Sequence, residues 1–328
     1  MNVRFRATAV FLLAALALAA PTAAQFSEPA LMDKPQAGYY RFKIGKVDVI
    51  AVSDGAAAFD ILSIVPNEKK EAAARIMAKS LVKTPVFTSV NAYIILLDGH
   101  TIMVDAGTGE VFGVKLGKLP DSLRAAGITP ESITDILVTH IHPDHTGGLA
   151  VGGKKLYPNA KIHVNKKEID FWTDKSAEAK ADGPTKGFFG QVAATVGPYI
   201  SSGSVQTFEG EAQIFPGIRS IPAYGHTPGH TFYMLEDGGQ KIAFMGDTIH
   251  VQDAQFEDPS ITVAFDVDPK QAAATRVKAF ADAAQNEYYI ALDHMYFPGV
   301  GRVMKENVGY RWTDRYGVVG PAPRPRRP

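Results

Sequence analysis

The chain contains no cysteine in 328 residues. That absence excludes a disulfide framework, a thiolate nucleophile and any cysteine metal ligand. No charge of one sign is in excess, since basic and acidic residues both number 34. Such a balance argues against a nucleic-acid-binding tract. Nor is the chain poor in apolar residues: at 46% hydrophobic it has enough to fold rather than stay disordered. Its length can bury a large core, in one large domain or two small ones. The apolar run Ala7–Ala20 falls short of the roughly 20 residues that a membrane-spanning helix needs. Arg4 and Arg6 precede that run, and Pro21, Thr22, Ala23 and Ala24 follow it. This is the pattern of a signal peptide cleaved after Ala24, with an uncleaved anchor as the alternative. No cysteine follows the run, so a lipoprotein anchor is excluded. The expected destination is the periplasm or the exterior, with no membrane contact after cleavage. Removing 24 of the 328 residues leaves 304. Removing the two arginines leaves 32 bases against 34 acids, a balance of −2.

Residues 25–37 read as an extended arm, 38–319 as the folded domain and 320–328 as a disordered proline- and arginine-rich tail. Val47–Ser53 is β-rich and is followed by an expected turn at Asp54-Gly55. Asn67–Lys83 has helical spacing. Asn91–Leu97 and Thr101–Val104 flank Asp98-Gly99-His100, a hairpin signal. Pro120–Ala126 reads as a short helix, and Asp135–Thr139 as a buried strand. Further strands are expected at Lys161–Val164, Gln213–Phe215, His230–Leu235, Lys241–Met245 and Tyr288–Leu292. Helices are expected at Phe188–Val196 and Pro269–Gln285. Strands interleaved with helices in both halves predict an α/β protein with helices packed outside sheets.

Three of the nine histidines crowd into six residues, His140-Ile-His142-Pro-Asp144-His145, directly after a predicted strand. A lone histidine is more often a hydrogen-bonded core or surface residue than a ligand. Three histidines and an aspartate in one hexapeptide would repel when protonated and would be costly to bury without an ion. Imidazole and carboxylate are the ligands that zinc and similar divalent ions accept when thiolate is absent. His226, in Gly225-His-Thr-Pro-Gly-His230, Asp247, in Gly246-Asp-Thr, and His294, after Asp293, lie at or near the ends of later predicted strands. His100 and His163 read as structural, and the part played by His230 stays open.

This series, His140-x-His142-x-Asp144-His145 followed by His226, Asp247 and His294, resembles the dinuclear metallo-β-lactamase superfamily over most of the mature chain. The resemblance implies an αββα sandwich of two facing mixed sheets with helices outside. It implies a first metal on His140, His142 and His226, a second on Asp144, His145 and His294, and Asp247 bridging them. Asp105, in Val-Asp-Ala-Gly107, resembles the aspartate that supports this site from behind its ligands. Zinc is the expected ion, and the same ligands accept iron, manganese or cobalt. Two such ions imply an activated hydroxide that attacks an ester, lactone, amide, thioester or phosphoester. The implied catalytic residues are Asp144, Asp247 and His250.

The absent cysteine excludes the thiolate-ligand β-lactamases. Asp247 ranks antibiotic hydrolysis low, because the all-histidine β-lactamases generally lack that bridging residue. Export disfavours a glyoxalase II-like thioesterase, and no length remains for the flavin domain of a flavodiiron enzyme. The chain resembles the methyl parathion hydrolase branch and its exported relatives, through Gly38-Tyr-Tyr-Arg41, Lys186-Gly-Phe-Phe189, Gln255-Phe-Glu-Asp-Pro-Ser260 and other segments. That resemblance implies an aromatic pocket mouth at Phe112, Trp172 and Phe188, and a homodimer. His250 and Phe265 depart from it by standing where smaller aliphatic residues are usual, which narrows the pocket. The expected activity is therefore opening of lactones or cleavage of aryl esters, with promiscuous organophosphate hydrolysis. The rivals are a main organophosphate triesterase activity, an acyl-homoserine lactone quorum-quenching lactonase and a non-catalytic metal-binding protein.

Overall fold

A computed structural model describes residues 37–314. The expected signal peptide, the arm up to Gln36 and the C-terminal tail lie outside those residues. Two seven-stranded mixed sheets face each other. The N-terminal sheet runs Tyr39–Ile44, Val47–Phe59, Val86–Leu97, His100–Val104, Asp135–Leu137, Lys161–Asn165, Val205–Phe208. The C-terminal sheet runs Gln213–Phe215, Ile218–Pro222, Thr231–Asp237, Gln240–Phe244, Tyr289–Ala291, Val300–Lys305, Tyr310–Asp314.

The period-two alternation of strand side chains builds the layers. Val49, Tyr93, Ile102, Val104 and Leu137 point inward and pack on Tyr233, Leu235, Phe244 and Ala291 of the facing sheet. Their sequence neighbours Ile50, Ile94, Met103 and Ile136 point outward, under Leu123 of helix Leu119–Ala125 and Val192 of helix Gly183–Thr195. On the opposite outer face Met234, Ala243 and Ile290 meet Phe280 and Ala283 of helix Pro269–Asn286. The result is the expected αββα sandwich, with strands apolar on both faces because both faces are covered.

One local expectation fails in an informative way. No turn forms at Asp54-Gly55, and strand Val47–Phe59 runs through it. Ser53 pairs with Asn91 and Gly55 with Val90, which leaves Asp54 as the extra residue of a β-bulge. The bulge buries Asp54, whose carboxylate accepts the amides of Thr108, Gly117 and Leu119 and the Thr108 hydroxyl. Asp54 thereby anchors the loop that carries Phe112.

Strands His100–Val104, Asp135–Leu137 and Lys161–Asn165 are parallel, as are Gln240–Phe244 and Tyr289–Ala291. Their carboxyl ends deliver Asp105, His140, Asp247 and His294 to one edge of the sandwich. The crevice beyond the strands' carboxyl ends is the usual ligand-binding place of open α/β sheets.

Candidate active site

His140, His142, His226 and Asp247 form one buried group, and half-buried Asp144 with buried His145, Asp247 and His294 forms another. Within each group the ligand atoms lie within 4.8 Å of one another. In the first, His142 Nδ1 is 3.1 Å from His140 Nε2 and 3.0 Å from His226 Nε2. Asp247 joins the groups with a different oxygen for each. Its Oδ2 lies 3.2 Å from His226 Nε2 and 3.5 Å from His140 Nε2. Its Oδ1 lies 2.9 Å from His145 Nε2 and 3.1 Å from His294 Nε2. Asp144 Oδ2 completes the second group, 3.2 Å from His294 Nε2. Pro143 opens a single helical turn, Pro143–Thr146, that places Asp144 and His145 beside the two preceding histidines. Gly246 is required in front of Asp247: its φ is +46°, and a Cβ there would lie 2.7 Å from Thr139 Oγ1.

Four of the five ligand rings take their tautomer from a partner on the far side; His142 instead turns Nδ1 to the other ligands and has no partner at its buried Nε2 among the described residues. Nδ1 of His140 donates to the Thr139 hydroxyl, of His226 to Asp266, of His145 to Asp105 and of His294 to the Ser89 carbonyl, all at 2.9–3.0 Å. A proton fixed outward on Nδ1 leaves the Nε2 lone pair facing inward. His145 Nε2 and Asp247 Oδ1 are buried and, although 2.9 Å apart, do not align as a hydrogen bond. Converging lone pairs and carboxylates with no proton to share fit divalent cations. Electrostatics agree. Burial, then neighbouring imidazoles, hold His140 and His142 well below the usual histidine pKa. For His145 and His294 burial acts the same way, but the Asp247 and Asp144 carboxylates outweigh it and raise both. The residues thus constitute a dinuclear metal-binding set. Ions held there supply Lewis-acid polarisation of a carbonyl or phosphoryl oxygen and an acidified water.

The residues behind the ligands explain their order. Asp105 adopts φ +58° and accepts Thr139 N at 2.8 Å, the Thr139 hydroxyl at 2.6 Å and His145 Nδ1 at 2.9 Å. His230 is not idle. Its Nδ1 donates to the Ala223 carbonyl and its Nε2 accepts the amide of Asp247, so it fixes the joining carboxylate. Burial beside His226 lowers its pKa to about 3, consistent with a neutral ring. His100 and His163 bracket Asp135 away from the site.

A cavity of about 400 Å³ opens above the cluster, walled by Phe59, Ile61, Ile64, Val90, Phe112, Leu116, Phe188 and Phe265. Phe112, Phe188, Phe265 and His250 all face it. Trp172 does not, contrary to the expected aromatic mouth. It is buried behind His142, ring centroids 5.4 Å apart, because its indole N–H is drawn to the buried Glu168. His250 Nε2 sits 3.0 Å from Asp247 Oδ2, while its Nδ1 is buried without a hydrogen-bond partner among the described residues. Four supporting carboxylates escaped the sequence reading: Asp54, Glu168, Asp266 and Asp293. Asp54 reads from sequence only as a turn residue, and Asp293 and Asp266 lie next to His294 and Phe265 without a pattern of their own.

A family model described as the metallo-beta-lactamase superfamily matches residues 85–294, and the chain belongs to that superfamily of metal-dependent hydrolases. Among solved structures it is similar to a hydrolase of the beta lactamase superfamily, AbOPH, with TM-score 0.82 and 32% identity, covering 87% of this chain and all of that one. It shares the fold of AidC, a dizinc quorum-quenching lactonase, with TM-score 0.77 and 24% identity over 86% of this chain and 98% of that one. An atrochrysone carboxyl ACP thioesterase of Passalora fulva is 30% identical over 164 residues, 50% of this chain and 39% of that protein. The chain spans only about two fifths of the length of this and two further fungal thioesterases. A probable metallo-hydrolase of Bacillus subtilis, YqgX, is 29% identical over 160 residues, 48% of this chain and 65% of that protein.

Proposed function

We propose that this protein is an exported dinuclear hydrolase that opens lactones or cleaves aryl esters, with organophosphate hydrolysis as a by-product. The observation that carries the reading is the wall of the cavity. Apart from the candidate ligands and His250, it is apolar and aromatic save for Thr88, and no lysine or arginine among the described residues lines it. Such a wall suits a neutral substrate with a flat apolar group, bound by stacking and area burial. It offers no counter-charge to an anionic one. Phe265 lies with its ring centroid 6.2 Å from His250 and 6.5 Å from Phe188. These rings crowd one side of the space above Asp247, which favours a planar ester over a bulkier tetrahedral phosphotriester. His250 lines the cavity beside Asp247, where its ring can contact the substrate.

A panel of dihydrocoumarin, an acyl-homoserine lactone, an aryl acetate and methyl parathion tests the reading. Lactone or aryl ester turnover should exceed methyl parathion turnover. The reverse order would favour the main triesterase activity that the likeness to the methyl parathion hydrolase branch supports. His250→Leu should raise the ratio of phosphotriester to lactone turnover, and an unchanged ratio would remove the steric argument. Export rests on the basic start and apolar run of residues 1–24, and is tested by sequencing the mature N-terminus. A homodimer belongs to the same proposal and is tested by light scattering.

A further inference from the structure

We infer that Glu168 is a positioning residue for the three-histidine half of the site: its carboxylate ties the His140–His142 loop to the His226 loop and so sets the affinity for the ion those rings hold. The inference rests on the dinuclear metal reading. Glu168 is fully buried in the first turn of helix Lys166–Thr173, three residues past the cap Asn165, whose side chain accepts the amide of Lys167. A glutamate at that place ordinarily reaches back to the amide of the cap residue. This one reaches out of its helix instead. Oε2 accepts the amide of Ile141 at 2.8 Å, the peptide between two of the ligands. Oε1 accepts the amide of Gly229 at 2.6 Å, in the loop that presents His226. Oε2 also accepts the indole N–H of Trp172 at 3.0 Å, and that ring packs edge-on against His142.

All three histidines of one half are thus held, directly or through one neighbour, by a single carboxylate. His145 and His294 of the other half take their support from Asp105 and the Ser89 carbonyl. The approach is tight enough to dictate Gly229, where a Cβ would lie 2.7 Å from Glu168 N and 2.9 Å from its Cγ. Only a carboxylate serves three donors at once. A glutamine would turn its NH2 either on Gly229 or on the pair Ile141 and Trp172. A buried charge without a function is costly, and here its donors belong to ligand-bearing segments.

The test is zinc binding to the stripped, full-length protein in competition with a chromogenic chelator. Wild-type protein should take up two ions. Glu168→Gln should weaken one of them by about 10–100-fold and leave the other unchanged. In a His226→Ala background, where that same ion is already lost, Glu168→Gln should change nothing further. Trp172→Phe, which keeps both loop clamps, should stay near wild type. Equal weakening of both ions, or a lowered Tm with both affinities intact, would overturn the inference. If Glu168→Gln does not fold, Gly229→Ala carries the same test, since it pushes the His226 loop off the helix. Wild-type protein that binds no zinc would overturn the metal reading itself, and this inference with it.

Discussion

Asp105→Asn isolates tautomer control from packing. Asp105 is buried at φ +58°, a conformation that asparagine tolerates and most side chains do not. Its Oδ1 accepts the amide of Thr139, and its Oδ2 accepts the Thr139 hydroxyl and Nδ1–H of His145. Asparagine keeps the first bond and the backbone shape. It places an NH2 against two donors where Oδ2 stood. The imidazole relieves that conflict by moving its proton to Nε2, and the lone pair that faces Asp247 is lost. Outer-sphere changes of this kind cost about 10–100-fold in metal affinity, or about 1.4–2.8 kcal/mol. Asp293 limits the loss, because its Oδ2 lies 3.1 Å from the same Nδ1 and can take over the proton. The single variant should therefore fall near tenfold on the ion of the Asp144, His145 and His294 half, with a smaller loss at the other ion, because the Thr139 hydroxyl links Asp105 to His140. Asp105→Asn with Asp293→Asn should approach a hundredfold. Chelator competition reads the affinities, and nitrogen NMR of labelled histidine reads the tautomer. Asp105→Ala is the contrast, since it adds about 1–2 kcal/mol of left-handed backbone strain and should lower Tm as well. If the double variant kept both ions at wild-type affinity, the tautomer argument would be refuted.

His140→Ala or Asp247→Ala should abolish hydrolysis, and a chelator should do so reversibly; full turnover by metal-stripped protein would contradict both. Asp54→Ala should cost about 3 kcal/mol, because it strands buried donors around Thr108, Gly117 and Leu119; an unchanged Tm would sink the anchoring role. Burial opposes ionisation of Asp135, but bonds from His163 and His100 outweigh it and depress its pKa to about 2. A depressed carboxylate stabilises the fold above its unfolded pKa near 4, and that contribution fades as pH falls toward 2. Asp135→Asn should therefore flatten the fall of Tm across that window, and an equally steep fall would show that another group is responsible.

What was legible in the sequence is what chemistry concentrates locally. The hexapeptide from His140 to His145 holds four candidate ligands in one turn of chain, and no other reading accounts for it. His226, Asp247 and His294 were legible because β-rich runs lie beside them and strand ends point at crevices. The sandwich followed from strands alternating with helices, although its facing of two sheets came only with the family resemblance. The Asp54-Gly55 pair was misread because a bulge and a turn ask for the same residues. What distinguishes them is whether the partner strand continues, and that is decided by the distant run Val86–Leu97. Trp172 was misplaced for a related reason. An aromatic ring near a pocket faces the cavity or the core according to where its polar edge finds a partner, and Glu168 lies beneath it.

The supporting carboxylates mark the limit of such reading. Asp266 reaches back 40 residues to His226, and Glu168 reaches forward 61 to Gly229. A single acidic residue in a helix or loop carries no pattern, because its meaning lies in the donors that the fold brings to it. The division of labour among these carboxylates follows the division of the ligands. Asp266 and Glu168 serve the three-histidine half, and Asp105 serves His145 of the other half directly while reaching His140 only through Thr139. Asp247 belongs to both halves and is set by neither group, since its amide is held by His230. Affinity for each ion can therefore be altered from behind without touching the residue that joins them. Variants at Glu168 and at Asp105 should act chiefly on different ions and overlap only through Thr139 and His140, whereas a change at His230 should weaken both.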